Sequence, residues 1–356
     1  WLAAGLIALA GGLPGVGLIH ASWLLNVLVS AAAVVTLFIY ARALGYSDKA
    51  ALLAALALAL ATALWPYSKT FFREPLALWL ILLTALLLDR WRAGGYRSLR
   101  LLAGSGLALA AAYLSKEAVV FALPALVLVV MPGWEQPPRW LVRVLQAALA
   151  LTLLGLAVLM VMAVIGGFTS LWPVCELIGR LLRRSSAEIE IMVTALHTYL
   201  LSIGGSVWGT SPVTLLALPG LWRLYRRGQY RYVMVTIAIV LAFAVSYAVL
   251  RGIHWFGGLS WPPRFLLPVL PFLLLAALPV FERLTQRPVQ RWLIVGVGVL
   301  IAYSVWIQLS GVSLPWGAYT AALPPEAGGL SEWGGGLNVV RYLRWVVLPP
   351  LWAQTP

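Results

Sequence analysis

Residues 50–90 read AALLAALALALATALWPYSKTFFREPLALWLILLTALLLDR. Two apolar runs, 50–66 and 75–90, flank a link that carries Lys69, Arg73 and Glu74. Each run approaches the ~20 residues that a helix needs to span a bilayer. Charged side chains between such runs are tolerated where water or a polar ligand meets them at the membrane edge. The stretch therefore predicts two membrane helices joined by a loop that receives an anionic ligand.

The composition of the whole chain points to the same class. Of its 356 residues, 62% are hydrophobic and 10% are charged, whereas soluble proteins average about a quarter charged residues. We expect an all-α fold, a polytopic transmembrane helical bundle of about 9–11 membrane helices with external interfacial helices. Apolar runs place helices at residues 2–19, 21–42, 50–66, 75–90, 100–115, 118–131, 141–164, 211–226, 232–250, 264–281 and 292–310.

The pattern divides the chain into two regions. Residues 1–310 form the predicted transmembrane domain, in which 165–210 is an external loop and interfacial region. There, an apolar stripe over 175–184 predicts a surface helix, and the apolar run 191–203 is placed outside as interfacial or re-entrant structure. Residues 311–356 are rich in Gly, Pro and Trp and predict an external tail, in which 338–348 favours another surface helix or the start of a membrane pass.

Basic residues set the predicted orientation. Fifteen of the 25 lysines and arginines fall in short loops on one side, at 42–49, 90–100, 139–143, 223–231 and 283–291. Because cytoplasmic loops collect Lys and Arg, this side is predicted to be cytoplasmic, and the loop with Glu74 extracytoplasmic, in a bacterial or archaeal plasma membrane. The net charge of +14 is then explained by the lysines and arginines of the cytoplasmic loops, and no nucleic-acid partner is expected.

Few residues suit metal or disulfide chemistry. Cys175 is the single cysteine, which excludes an internal disulfide, and the three histidines lack the spacing of metal ligands. Both aspartates, Asp48 and Asp89, fall on the predicted cytoplasmic side. We expect neither a metal nor a cofactor.

Glu74 and Lys116 each have two interpretations. Glu74 precedes Pro75 at a helix start, where it either caps the helix and pairs with Lys69 or Arg73, or acts as a general base or orients an acceptor hydroxyl. Lys116 either neutralises Glu117 inside the bundle or contacts a phosphate, and intramembrane charges favour the functional interpretation.

A second external loop, 251–264, reads RGIHWFGGLSWPPR. Arg251 and Arg264 suit phosphate geometry, while His254, Trp255 and Trp261 are candidates for contact with a sugar or lipid. Tyr67 in the first loop is a further candidate of that kind. The alternative is an aromatic belt at the membrane interface with arginines that reach toward water.

The chain resembles the multi-spanning C-type (GT-C) glycosyltransferases, a superfamily that includes protein O-mannosyltransferases and bacterial aminoarabinose transferases. The resemblance rests on ATALWPYSKTFFREPL at 61–76, LALAAAYLSKE at 107–117, GTSPVTLLALPG at 209–220 and WFGGLSWPPRFLLP at 255–268, and it covers roughly residues 20–282.

This resemblance implies a metal-independent, inverting transfer of a sugar from a polyprenyl-phosphate donor to a lipid, glycan or protein acceptor at the outer face. It also implies a phosphate site formed by Lys116 and Arg264 with contributions from Lys69, Arg73 or Arg251, while Glu74 is the candidate catalytic residue on the interpretation of its own position given above. Stabilisation of the departing phosphate is then the main catalytic effect.

One feature departs from the family pattern. The usual catalytic aspartate lies in the first external loop, and this sequence has no aspartate on the predicted outer side. Three explanations stay open: the loop preceded Trp1, Glu74 has taken the role, or the protein is inactive. We expect the first, because the chain opens inside an apolar run.

Two other classes compete with the enzyme. A transporter or flippase of a lipid-linked or anionic substrate has the same composition. Its charged residues are expected at the membrane midplane, however, whereas those of this chain cluster at the outer boundary. An accessory membrane subunit whose Trp-rich tail binds partners is the third class.

Overall fold

The computed structural model describes residues 18–131, 186–286, 288, 290–322 and 337–349, and these residues form helices joined by short loops. The α-helices are α1 Leu18–Ala43, α2 Asp48–Leu60, α3 Leu64–Ser68, α4 Glu74–Ala93, α5 Leu99–Ser115, α6 Leu123–Val130, α7 Ser186–Leu200, α8 Val207–Thr210, α9 Ala217–Arg226, α10 Tyr230–Leu250, α11 Leu270–Thr285, α12 Arg291–Ser313, α13 Ala318–Ala322 and α14 Val339–Tyr342. Short 3-10 helices cover Glu117–Ala122, Pro212–Leu216, Gly252–His254 and Arg264–Val269, and a π-helical turn covers Leu343–Val347.

Four helical segments are long and apolar enough to cross a membrane: Trp23–Ala43, Tyr230–Leu250, Arg264–Thr285 and Arg291–Ser313. Three of these segments expose apolar side chains in stripes, which is the pattern of a helix that faces lipid. They are Trp23–Ala43, Tyr230–Leu250 and Arg291–Ser313. On α10 the stripe holds Met234, Ile237, Leu241 and Val245, at helical spacing. The described chain is therefore a helical bundle with the properties of a membrane protein.

The segment Arg264–Thr285 is the centre of the bundle. In its most apolar window 94% of the residues are buried, compared with 28% for Arg291–Ser313. Helix α9 packs directly against α11, because Gly220 has no side chain: a Cβ at this position would lie 2.0 Å from the Ala276 carbonyl oxygen. This glycine is required for the close approach of the two backbones.

The arginine-rich loops meet at one end of the bundle, as their alternation in the sequence predicts. Ser47 donates to the Glu282 carboxylate through its N–H at 3.0 Å and its hydroxyl at 2.7 Å. Arg223 donates to the Pro279 carbonyl at 3.2 Å, and Arg231 donates to the Met131 carbonyl at 3.0 Å. We call this the arginine-rich end; the predicted loop 139–143 lies outside the described residues.

The loops that follow α3, α5 and α10 meet at the opposite end. Glu74 begins α4 there, Lys116 follows α5, and Arg251 follows α10. Asn338 begins the C-terminal helix α14, whose Tyr342 packs edge-on against Trp261 with ring centroids 5.3 Å apart. The predicted surface helix at 338–348 is thus a short helix that packs on the bundle.

Helix boundaries agree with the predictions within a few residues, but four of the predicted runs are interrupted or begin differently. The predicted run 50–66 ends as α2 at Leu60 and resumes as the short α3. The run 118–131 begins as a 3-10 helix, and so do the runs 211–226 and 264–281. The predicted helices at 141–164 and 175–184 and nearly all of 2–19 lie outside the described residues.

Candidate functional site

The Glu74 carboxylate lies at the start of α4 and is 1% exposed. Its Oε1 accepts a hydrogen bond from Lys116 Nζ at 2.6 Å and another from Arg264 Nε at 2.8 Å. Pro75 occupies the first turn, where the N–H that proline lacks has no helical partner in any case. The partial positive charge of the helix N-terminus also favours a carboxylate here.

These contacts correct two predictions about which charged residues pair with each other. Glu74 pairs with residues from distant loops, where the sequence suggested its neighbours Lys69 and Arg73. Lys116 pairs with Glu74, where the sequence suggested Glu117, whose side chain is exposed. The reason is that the loops after α5 and before α11 fold over the N-terminus of α4.

Lys116 reaches Glu74 because α5 ends one residue before it. Lys116 adopts an extended conformation with φ −160° and ψ 116°, and Glu117 then starts the 3-10 helix. This break in the helix turns the Lys116 side chain inward, where it is 7% exposed.

Arg264 is held by backbone and by an aromatic ring. Its Nη1 donates to the Gly257 carbonyl at 3.1 Å, and its guanidinium carbon lies 3.9 Å from the centre of the Phe72 ring. Gly257 has φ +83°, a conformation that favours glycine, and a Cβ here would lie 3.2 Å from Arg264 Cδ. The Gly-Gly pair therefore lets the loop close on the arginine.

A stacked aromatic pair joins a third cation to this cluster. The rings of Tyr247 and Phe265 stack with centroids 4.3 Å apart. Lys116 Nζ lies 5.2 Å from the Phe265 centroid, and the Arg251 guanidinium carbon lies 5.0 Å from the same centroid. We call Glu74, Lys116, Arg251 and Arg264 the Glu74 cluster; among the described residues it holds three cations and one carboxylate, so it carries excess positive charge.

The cluster shifts the proton affinity of its members. Burial raises the pKa of the Glu74 carboxyl, but the charges of Lys116 and Arg264 outweigh burial and hold this pKa below its ordinary value. Burial lowers the pKa of the Lys116 ammonium to about 8, although Glu74 opposes the shift. Glu74 is consequently a carboxylate at neutral pH and a weaker base than an isolated glutamate.

The cluster has unused binding capacity. The second oxygen of Glu74, Oε2, is buried and has no hydrogen-bond partner in the described part of the chain. Arg264 donates two hydrogen bonds there and Lys116 donates one, whereas a guanidinium carries five N–H donors and an ammonium three. The cluster thus offers an acceptor and several donors to a ligand.

Lys69 and Arg73 lie outside the direct contacts of the cluster. Lys69 donates to the Val312 carbonyl in the last turn of α12, and Arg73 is exposed just before α4. The loop between them is fixed by Asn26, whose Nδ2 donates to the Thr70 and Phe72 carbonyls at 2.7 and 2.8 Å. A role of Lys69 in phosphate binding stays a prediction; its contact in the structure caps a helix.

Three predicted sugar or lipid contacts are buried. Tyr67 and Trp261 are each 0% exposed, and the Tyr67 hydroxyl donates to the Trp261 carbonyl. The Trp255 side chain is 4% exposed, and its carbonyl accepts from the Tyr199 hydroxyl. These contacts give all three residues a packing role that fixes the loop, whereas His254 is exposed and accessible to a ligand.

Sequence reasoning missed two groups of site residues. Tyr247 lies four residues before Arg251, on the same helix face, and this spacing was available as a signal. Asn26 and Gln308 are polar residues within long apolar runs, which also marks functional or structural contacts. Gln308 accepts from Trp261 Nε1 at 3.1 Å and so anchors the loop that carries Arg264.

Comparisons with known proteins identify no relative: no family model, no curated protein and no solved structure matches this chain.

Proposed function

We propose that the chain is an integral membrane glycosyltransferase that moves a sugar from a polyprenyl-phosphate donor to an acceptor, with inversion and without a metal. The observation that carries the proposal is the Glu74 cluster, at the end of the bundle opposite the arginine-rich loops. Lys116 and Arg264, from two different loops, bind one buried carboxylate, and Arg251 adds a third cation beside the Tyr247–Phe265 pair. An anionic ligand attached to a lipid matches this placement in charge and in position.

The chemistry needs a site that stabilises a phosphate as its charge grows. An acceptor oxygen attacks the anomeric carbon, the bond between this carbon and the phosphate oxygen breaks, and the phosphate leaves with one more negative charge. In this proposal the free donors of Lys116 and Arg264 bind the departing phosphate, and Arg251 adds positive charge beside them.

Glu74 has two parts in this proposal. Its Oε1 fixes the positions of Lys116 and Arg264, so that the cations are in place before the donor binds. Its Oε2 accepts the hydrogen bond of the acceptor hydroxyl and orients the attacking oxygen. Because the two cations weaken Glu74 as a base, orientation is its main contribution, and the acceptor proton is released to water once the new bond to the anomeric carbon has formed.

The proposal also includes the finer membrane arrangement. In this proposal about 9–11 segments cross the membrane. Within the described residues they are the four long apolar helices together with α2, α4, α5 and the segments 117–130 and 212–226. Helix α7 lies at the interface on the outer side, the arginine-rich end is cytoplasmic, and the membrane is a bacterial or archaeal plasma membrane.

A photoreactive polyprenyl phosphate tests the binding step, and sugar transfer from polyprenyl-phosphate sugars in proteoliposomes tests the reaction. We expect Lys116→Ala and Arg264→Ala each to lose labelling and transfer, while Arg97→Ala, an exposed arginine at the other end, retains both. Full transfer by both cluster variants contradicts the proposal. Labelling and flux across the vesicle membrane without sugar transfer identifies a transporter instead.

A further inference from the structure

The arginine-rich end contains a second concentration of positive charge, separate from the Glu74 cluster. An open groove lies between the C-terminal ends of α9 and α11. Its charged and polar lining consists of Arg223, Arg226, Arg227, Glu282, Arg283 and Gln286. We call it the arginine groove.

Local helix geometry explains why the guanidinium groups share one surface. Arg223, Arg226 and Arg227 are spaced by three and four residues, which places them on one face of the helix end. The close approach at Gly220 brings α9 against α11, so this face meets Arg283. The helix C-termini add partial negative charge that favours cations at these positions.

The carboxylate in the groove is already engaged. Glu282 accepts both the N–H and the hydroxyl of Ser47, the residue that caps α2. Arg223 donates to the Pro279 carbonyl, but Arg226, Arg227 and Arg283 are exposed. Four guanidinium groups against one carboxylate, in the described lining, give the groove a strong preference for an anion.

Aromatic and apolar surfaces beside the groove indicate an anion that belongs to a lipid. Trp222 is 58% exposed and stacks on Tyr225, and the Arg226 guanidinium lies 4.9 Å from the Trp222 ring. Tyr230 packs edge-on against Tyr225 and begins the exposed apolar stripe of α10. Exposed aromatic rings between charged and apolar surfaces are typical of the membrane interface.

We propose that the arginine groove binds the phosphate of an anionic phospholipid headgroup, with the acyl chains along the exposed stripe of α10. The guanidinium groups supply paired donors to the phosphate oxygens, and the aromatic rings lie at the same depth in the bilayer as the headgroup. This site lies outside the proposed transfer reaction, and its test is independent of sugar transfer.

The test measures binding of dioctanoyl phosphatidylglycerol to the purified chain in a non-ionic detergent by native mass spectrometry. We expect Arg227→Gln/Arg283→Gln to weaken this binding roughly tenfold. The matched control is Arg97→Gln/Arg100→Gln, which removes two exposed arginines from the same end outside the groove and is expected to bind like the parent chain.

Three outcomes overturn the proposal. In the first, the groove variant binds phosphatidylglycerol as well as the parent does. In the second, the control variant loses as much affinity as the groove variant, which indicates attraction by overall charge. In the third, glycerol 1-phosphate binds as tightly as the lipid, which assigns the groove to a soluble phosphate. Dioctanoyl phosphatidylcholine, which has no net charge, is expected to bind weakly to all three proteins.

Discussion

Glu74 illustrates what single residues decide in this molecule. One oxygen of a buried carboxylate binds two cations that lie 42 and 190 positions away in the chain. A buried charge that loses its partner costs much more than an exposed one, because water cannot replace the lost interaction. The stability of this end of the bundle thus depends on a few atoms.

Replacement of Glu74 tests this dependence. We expect Glu74→Gln to lower the free energy of unfolding by about 3–5 kcal/mol, because Lys116 and Arg264 then face each other without a counter-charge. Glu117→Gln is the matched control, since Glu117 is exposed, and it is expected to change stability by less than about 0.5 kcal/mol. Thermal unfolding in detergent measures both, and equal stability of the two variants contradicts the prediction.

The pH dependence of ligand binding tests Lys116. We expect the affinity for a phosphate diester to fall as pH rises through about 8, because burial holds the pKa of Lys116 near that value. The free energy of unfolding changes with pH in the opposite direction: it rises as pH rises. The unfolded chain holds more protons between pH 8 and the ordinary lysine pKa of 10.5, so this group adds stability across that window. In Lys116→Arg, whose guanidinium stays charged, a flat binding profile is expected; a diester titration with the same midpoint in that variant assigns the pH dependence to another group.

The sequence singled out the members of the Glu74 cluster but not their partners. Lys116, Arg264, Arg251 and Glu74 were chosen because charged residues next to apolar runs are costly unless they have a role, and their role in a binding site stays a prediction. Their pairing was not predictable, since it depends on which distant loops meet. The sequence offered only near neighbours, Lys69 and Arg73, as partners for Glu74.

At the level of elements, apolar length predicted where helices run, while local breaks determined how they begin. The 3-10 start at Arg264–Val269 follows Pro263 and contains Pro268, and proline removes backbone donors that a regular α-helix uses. Glu117–Ala122 begins after the extended Lys116. Hydrophobic patterning contains no information on such breaks, so these helices were predicted as uniform.

The packing of α9 on α11 gives a prediction for helix contacts. We expect Gly220→Ala to destabilise the bundle by about 1–3 kcal/mol, because a Cβ collides with the Ala276 backbone. Gly298→Ala in α12 is the control: nothing lies within 4 Å of its Cβ, so alanine is expected to be neutral or slightly stabilising. Thermal unfolding of the purified variants measures the difference, and a larger loss in Gly298→Ala contradicts this account of the interface.

At the level of the whole molecule, opposite ends differ in charge pattern. One end holds loops rich in exposed arginine, and the other holds a buried cluster within aromatic loops. The alternation of basic loops predicted this division, because orientation rules act on short loops whatever their tertiary contacts. The two ends are therefore expected to face different compartments.

Cysteine labelling in intact cells tests this orientation. After Cys175→Ala, we expect Ile253→Cys to react with a membrane-impermeant maleimide added outside, and Arg97→Cys to react only after the cells are opened. Both positions are exposed. Labelling of Arg97→Cys from outside with protection of Ile253→Cys reverses the orientation and moves the Glu74 cluster to the cytoplasmic side.

The hydrogen bonds from Asn26 and Lys69 have a consequence for how a ligand reaches the Glu74 cluster. Within six positions, residues 69–74 form hydrogen bonds with α1, with α12 and with Arg264 of the Glu74 cluster. These bonds hold the segment in place on one side of the cluster. The opposing segment, 252–259, exposes Ile253, His254 and Leu259 and has two adjacent glycines with positive φ, although Trp255 within it is buried. In the proposed reaction, admission of the donor is thus expected to depend on hinge motion at Gly257 and Gly258, and stiffening that hinge is expected to slow capture of the donor without altering residues 69–74.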